Sequence, residues 1–437
     1  MAKMILRFFK LEEAGTTLSR EVVAGLTTFV TMSYIVVVNP AILQAAGIPA
    51  GPSTVATVLV AMFGTLLMGL YANRPFAIAP YMGENAFIAF TVVKVLGYRW
   101  QTALAAVFIA GAIFSLLTIF QFRQWLVDAV PPSLRYSFAV GIGLFLTLIG
   151  LSQAGIVLPG SSGTLLRSGN LTSLPVLLSI FGFIVIALLM IRRVPASILI
   201  GILVTTVFAF LTGVASPPHS WVSLPPSIGP IALKLDFADT LHWNFFPVIL
   251  TIFIMAFVDT MGTLIGVSAR AGLLDQDGNL PQIERPMLTD SLSIMFAALV
   301  GTTTSGAFIE SATGVEAGGR TGLTAVVTAL CFAGTLFFSP FIAAVPSQAY
   351  APALIIVGLL MLSPVTKIPF DDFTELIPSF AVVALMSFTY NIGIGITAGF
   401  VLYPLCKLAS GKAAQIKPGL WVLAALSLLF FVFYPYT

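Results

Sequence analysis

An all-α polytopic membrane protein is the fold class this sequence predicts, and three observations predict it. Only 8% of the 437 residues are charged and 58% are hydrophobic. Soluble domains average about 25% charged, so this composition cannot cover a water-facing surface. Long stretches carry no charge at all: 22–73, 100–122, 136–166, 168–191, 194–233, 240–258, 291–309, 321–366, 376–406 and 418–437. They are continuous rather than split into the short alternating segments of an outer-membrane barrel, so the spanning elements are helices. At ~20 residues per crossing they hold roughly twelve to fourteen spans. A cytoplasmic enzyme, a nucleic-acid binder and a disordered scaffold are excluded.

Breakers divide the longer stretches. Asn39-Pro40 and the Gly47–Pro52 segment split the first in two, and Ser339-Pro340 and Pro346 interrupt 321–366. Lys3, Arg7, Lys10 and Arg20 precede the first span, which the positive-inside rule places in the cytoplasm. Arg74, Arg123, Arg135, Arg192 and Arg193 then fall in even-numbered loops on the same side. Lys407, Lys412 and Lys417 prefer that side too, although a strict count of fourteen crossings puts their loop outside. The longest polar interruption, 267–290, is loop-sized, and 370–376 reads as an interfacial turn. A net charge of +3 implies no polyanionic partner, and the two cysteines, Cys331 and Cys406, lie in apolar runs, so no disulfide framework is expected. No cleavable signal peptide is expected, because the first apolar run is far longer than a signal core.

Two places do not read as ordinary spanning helices. Phe76-Ala-Ile-Ala-Pro-Tyr-Met-Gly-Glu-Asn-Ala-Phe87 has a proline in its middle, then Gly83, Glu84 and Asn85. Gly301-Thr-Thr-Thr-Ser-Gly-Ala-Phe-Ile-Glu-Ser-Ala-Thr-Gly314 opens threonine-rich and turns helical near Glu310. Each reads as extended chain leading into a short helix. Such backbone is tolerated at membrane depth only inside protein or along a wet cavity. Paired interruptions in two halves point to a transporter's binding site. Glu84 and Glu310 are offset by 226 residues (310 − 84), about half the chain. The same offset aligns 22–42 with the span of Asp259, and 172–192 with 398–418. Inverted repeats are therefore expected, divided at the proline-rich segment 216–230; chance periodicity is the alternative.

Three acids and one amide are the candidates for chemistry. Asp259 lies well inside an apolar span, where a lone carboxylate is unfavourable by a few kcal/mol unless it faces a cavity; a bond to a helix hydroxyl such as Thr260 or Thr263 is the structural alternative. Glu310 stands at a helix N-terminus, where free N–H donors favour a negative charge, and could accept a ligand's ring N–H; capping the helix is the alternative. Asn85 offers both a donor and an acceptor to a heterocycle's edge. Glu84 could be a polar contact, a proton site, or the partner of a basic group such as Arg320. Glu316 and Arg320 are spaced for an i,i+4 pair. Tyr81, Phe87 and Phe308 flank the acids and could stack on a planar ligand. No phosphate loop, GxSxG or HExxH occurs, His219 and His242 lie in or beside the loop between halves, and no metal site is expected. Carboxylates rather than basic groups at mid-span argue for a neutral, donor-bearing ligand or a cation over an inorganic anion.

At these residues the chain resembles the nucleobase:cation symporter family 2 (the nucleobase-ascorbate transporter superfamily), in its AzgA-like hypoxanthine/adenine/guanine permease branch. The resemblance is carried by residues 21–40 (EVVAGLTTFVTMSYIVVVNP), 82–87 (MGENAF) and 309–325 (IESATGVEAGGRTGLTA). It implies a uracil-permease-like fold of about fourteen membrane segments in two inverted seven-segment repeats, with a core domain, a gate domain, and short strands in segments three and ten. Applied here, 1–20 is the cytoplasmic N-terminus, 21–215 the first repeat, 216–240 the inter-repeat loop and 241–437 the second repeat. The core domain covers about 21–122 and 241–346, and the gate domain about 130–215 and 350–437.

The resemblance assigns a purine site to Asn85 of segment three, Asp259 of segment eight and Glu310 of segment ten. Glu84, Phe308, Thr260 and Ser311 are expected to join them in binding, with Asp259, Glu84 and Glu310 the candidates for proton coupling. Two departures stand out. The branch carries a second Asp three residues before Asp259, where this chain has Ala256, and a Leu where it has Glu84; Glu84 is expected to replace part of the missing acid. The implied activity is import of hypoxanthine, guanine or adenine by proton symport, with no enzymatic step and no cofactor, and with sodium as the alternative coupling ion. Another nucleobase (uracil or xanthine) or an anion exchanged on the same fold is the alternative cargo. The expected partners are a purine nucleobase and the lipid bilayer of the plasma (cell inner) membrane, with a homodimer an option and no nucleic acid.

Overall fold

Apolar runs make the helices of this chain, and prolines, glycines and polar caps decide where they stop. The computed structural model describes residues 6–120, 129–160, 164–275 and 280–434; Lys3 and Arg123 lie outside them. The first segment is α1 (Leu18–Met32), capped by the Thr17 side chain, followed after a break at Ser33-Tyr34 by α2 (Ile35–Gln44), which contains Pro40. Then come α3 (Ala50–Leu70), strand β1 (Ile78–Pro80), the stub α4 (Met82–Ala86) continued as a π-helix over Phe87–Val95, and α5 (Trp100–Ile119). Next are α6 (Pro132–Gln153), a surface hairpin of β2 (Val157–Pro159) and β3 (Leu166–Ser168), α7 (Leu174–Ile191) and α8 (Ser197–Leu211).

The second half repeats this order: α9 (Phe246–Ala271), α10 (Glu284–Val300), β4 (Ser305–Ala307) with the stub α11 (Ser311–Glu316), α12 (Gly322–Thr335), α13 (Ser347–Leu360), α14 (Phe373–Phe388) and α15 (Ile392–Ala409). A last helix, α16 (Pro418–Phe433), has no counterpart in the first half. It starts beside the loop of Lys412 and Lys417 and ends with Phe433 stacked on Trp243, just ahead of α9. Arg270, at the other end of α9, pairs with Glu316. The loop of Lys412 and Lys417 therefore lies at the same end of the molecule as Arg270.

Two bundles form. In the first, α3 packs on α12, α5 on α10 and α9, and α1 on α12. In the second, α6 packs on α13 and α14, α7 on α13 and α8, and α14 on α15. Lipid tails are as apolar as leucine, so close approach rather than hydrophobicity holds such helices together. At Gly322 an added Cβ would sit 2.0 Å from the Gly69 carbonyl oxygen, so this α3–α12 contact requires glycine. Glu21, fully buried on α1, ties the start of α12 in place: its carboxylate accepts from the N–H groups of Arg320 (2.9 Å) and Thr324 (3.1 Å) and from the Thr324 hydroxyl (2.6 Å).

Two readings of the polar gaps are corrected by tertiary packing. The 267–290 interruption is not all loop, because α9 runs to Ala271 and α10 begins at Glu284, which puts Asp290 inside a helix. The 370–376 patch is a helix start: Asp372 caps α14 by accepting from the Thr374 N–H (2.9 Å), and Glu375 lies in the first turn. Hydrogen bonds from Thr374 and from Lys412 hold the Asp372 carboxyl below the usual carboxylate range. Lys407, buried on α15, reaches Glu375 at 2.6 Å, and Tyr403 donates to the same carboxylate at 2.8 Å. Breaking a buried pair by removing one partner typically destabilises by about 3–5 kcal/mol. Lys407→Met is therefore expected to lower the melting temperature of the detergent-solubilised protein, and adding Glu375→Gln to recover part of the loss; scanning fluorimetry of the single and double variants checks it.

Candidate functional site

The two interrupted segments meet. β1 and β4 pair antiparallel, Ile78 opposite Ala307, Ala79 opposite Gly306 and Pro80 opposite Ser305. The pairing is extended at both ends, where the Tyr81 N–H donates to the Thr304 carbonyl (3.0 Å) and the Phe308 N–H to the Ala77 carbonyl (2.9 Å). Side-chain hydroxyls serve the outer edges: Ser311 accepts from the Ala77 N–H at 2.9 Å, and Thr65 accepts from the Ile78 N–H at 2.8 Å. This answers the requirement that main chain at membrane depth find partners within the protein. It also explains the proline and the threonine-rich run, since neither stretch needs to be helical.

Four acids surround this strand pair. Glu84, on α4, is fully buried, and no N–H or O–H of a described residue reaches its oxygens. It lies against Asp259 of α9. Asp259 is half-buried, on the face of α9 that continues through the exposed Gly262, Gly266 and Arg270. Asp290 of α10 is fully buried and accepts from the Ala307 N–H of β4 at 3.1 Å. Glu84, Asp259 and Asp290 all bear on Tyr81, whose hydroxyl is 3.3 Å from that of Thr260. Glu310 stands just before α11 but makes no capping bond; it accepts instead from the Tyr34 hydroxyl at 2.5 Å. Among the described residues, none of the four forms a salt bridge.

The predicted residues therefore divide by access. Asp259 and Glu310 are the half-accessible ones, on α9 and on the β4–α11 turn that packs against it. Phe308 is nearly buried and lies parallel to Tyr81, ring centroids 6.2 Å apart. Asn85 is fully buried, and its amide is taken up inside the protein: it donates to Asn39 and accepts from Thr303. Asn39 in turn donates to Thr57 (2.7 Å) and Thr302 (3.1 Å). Thr260 and Ser311 are also fully buried and engaged with Tyr81 and with the Ala77 N–H, so they shape the site from behind.

Several residues escaped the sequence reading. Asp290 borders an uncharged stretch and reads as loop, while Tyr34 and Asn39 read as ordinary members of the first span; the Asn39-Pro40 break was their one signal. Two expected pairs are replaced. Glu316 meets Arg270 at 2.9 Å rather than Arg320. The Arg320 guanidinium donates to the carbonyls of Val315 (2.6 Å) and Gly319 (2.7 Å), so it partners neither Glu316 nor Glu84. The reason is that α11 ends at Glu316, so no helix carries the i,i+4 spacing on to residue 320.

Comparison with known proteins agrees with this architecture. The profile of the Permease family matches residues 19–402. The adenine permease AdeP of Escherichia coli (strain K12) is 42% identical over 430 residues, covering 98% of this chain and 96% of its own. The guanine/hypoxanthine permease PbuG of Bacillus subtilis (strain 168) is 42% identical over 437 residues, covering 98% of this chain and 99% of its own. Among solved structures, the transmembrane domain of a cyanobacterial bicarbonate transporter, BicA, superposes with a TM-score of 0.66 at 16% identity, over 87% of this chain and 97% of that one. That likeness speaks for the fold alone. With a profile match across most of its length and relatives of this similarity end to end, the chain belongs to the Permease family, within the nucleobase-ascorbate transporters and their AzgA-like branch.

Proposed function

We propose that this chain imports purine nucleobases, hypoxanthine, guanine or adenine, by proton symport, with alternating access around the paired stubs. The observation that carries the reading is the set of acids at those stubs with no ion-pair partner among the described residues. A purine base is flat, uncharged and edged with N–H donors, so it suits acceptor-only carboxylates. An inorganic anion would be repelled by them. The names of the relatives, adenine permease and guanine/hypoxanthine permease, point the same way. Asp259 and Glu310, the accessible pair, accept ring N–H groups of the base. Asn85, held by Asn39 and Thr303, orients the stub rather than reading the base directly, and the Tyr81–Phe308 pair gives one apolar wall.

With the base bound, protonation of an acid in this cluster removes the charge that would resist movement of one bundle past the other; after release of base and proton, the site returns with water in place of the base. The carrier is Asp259 or Glu84. The protein lies in the plasma membrane with the end bearing Arg20, Arg74, Arg270, Arg320, Lys407 and Lys412 in the cytoplasm, as the positive-inside rule requires. The half-accessible face of α9 runs from Asp259 to Arg270, which is the route by which the site opens toward that side.

Uptake of radiolabelled hypoxanthine into vesicles tests the cargo. Adenine, guanine or xanthine is expected to compete, uracil to compete poorly, and sulfate or bicarbonate not at all. Accumulation is expected to vanish with a protonophore; uptake indifferent to one marks a facilitator instead. For the site itself, Glu310→Gln is expected to raise the KM for hypoxanthine by roughly tenfold or more, since a hydrogen bond to a charged group contributes about 1.5–3 kcal/mol. An unchanged KM in that variant would remove Glu310 from the site.

A further inference from the structure

Glu84 is a buried acid whose surroundings offer it no ordinary partner. No N–H or O–H of a described residue reaches either carboxyl oxygen, yet the side chain stands beside the Asp259 carboxyl where α4 packs on α9. Two ionised carboxylates present acceptors only, so neither can serve the other. One proton between them turns the contact into a charge-assisted O–H···O bond and gives Glu84 the partner it lacks.

Neighbouring elements supply no other remedy. The stub α4 packs on α2, α6, α9 and its own π-helical continuation. α2 has no ionisable side chain, and α6 has only Arg135 and Tyr136, near its start. The π-helix has Lys94 in its last turn. α9 brings Asp259, with Arg270 at its far end committed to Glu316. Tyr81 and Asp290 also stand close by, and neither can become a cation. The second acid thus enters from the wall opposite Asp259, while one turn back on α9 stands Ala256.

We propose that Glu84 and Asp259 form a carboxyl–carboxylate pair holding a single shared proton, and that this proton is the ion carried with the base. The proposal rests on the transport reading above. The two members differ in access: Glu84 is sealed, while Asp259 lies on the half-open face of α9. The proton therefore enters and leaves through Asp259, taken from water on one side of the membrane and returned to water on the other, and no bond to the base is made or broken. With the proton in place the pair keeps one negative charge, and a free oxygen of Asp259 still accepts a ring N–H. With it gone, two negative charges face each other without a cation. Binding of the base is then opposed by that repulsion until a proton joins the pair. Once both are released, the proton-free site returns with water around Asp259, so base and proton cross together and the cycle is tied to the gradient.

The test compares wild type with Glu84→Gln in proteoliposomes, reading hypoxanthine accumulation under an imposed pH gradient against counterflow exchange of hypoxanthine without one. The glutamine can donate to Asp259 but cannot release a proton. The ratio of gradient-driven to exchange transport in Glu84→Gln is expected to fall to the value wild type shows with a protonophore. A ratio equal to untreated wild type overturns the pair while leaving the transport reading intact. No saturable purine uptake by wild type sinks the transport reading, and the pair with it. Infrared difference spectra of the wild-type protein keep the test independent of the variant's folding. A carboxylic C=O band that shifts in D2O and responds to hypoxanthine is expected; its absence across the pH range of transport overturns the proposal.

Discussion

Carboxylates held within a bilayer without counterions are the constraint on which the rest of this structure depends. An ionisable group facing lipid is unfavourable by several kcal/mol at least, so Glu84, Asp259, Asp290 and Glu310 have to be enclosed. The enclosure is built from main chain as much as from side chains. Ala307 offers its N–H to Asp290, and the strand that carries Ala307 is free to do so because β1 and the nearby hydroxyls satisfy the rest of it. Tyr34 reaches Glu310 because the first segment breaks at Ser33-Tyr34 instead of running on as one helix.

The second bundle handles charge in the opposite way. There Glu375 and Asp372 lie at the end of the molecule and are paired, with Lys407 and with Lys412. Paired charge fixes geometry and leaves nothing for a ligand, whereas unpaired charge invites one. The contrast between the two bundles is the reason the proposed site is put at the paired stubs.

Most of the architecture was legible in the sequence because the bilayer imposes a plain code. Uncharged runs gave the helices, and a proline in one run and a threonine-rich stretch in the other gave the two broken segments. Asp259, Glu84 and Glu310 stood out because charge at mid-span is rare. What stayed hidden depended on tertiary contact. Asp290 looked like loop because charged residues at both ends of 267–290 masked two helix ends, and only packing shows that its carboxylate serves β4. Tyr34 and Asn39 are unremarkable in an apolar span until the chain brings Glu310 and Asn85 to them. Asn85 stood out as a candidate, but its partners Asn39 and Thr303 could not be read from neighbours in sequence. The side on which the Lys407–Lys417 loop lies was unsettled for a similar reason: the extra helix α16 is as apolar as any other span, and only the stacking of Phe433 on Trp243 gives its direction.

The three-residue ladder between β1 and β4 joins the first half of the chain to the second at the centre of the molecule. Each strand is the main-chain partner of the other. A polypeptide of half this length would leave an open strand edge in hydrocarbon, which lipid does not tolerate. A second copy inserted upside down in the same membrane would complete it. Duplication followed by fusion would turn that chance encounter between oppositely oriented siblings into an intramolecular certainty, and would leave each copy free to acquire acids of its own.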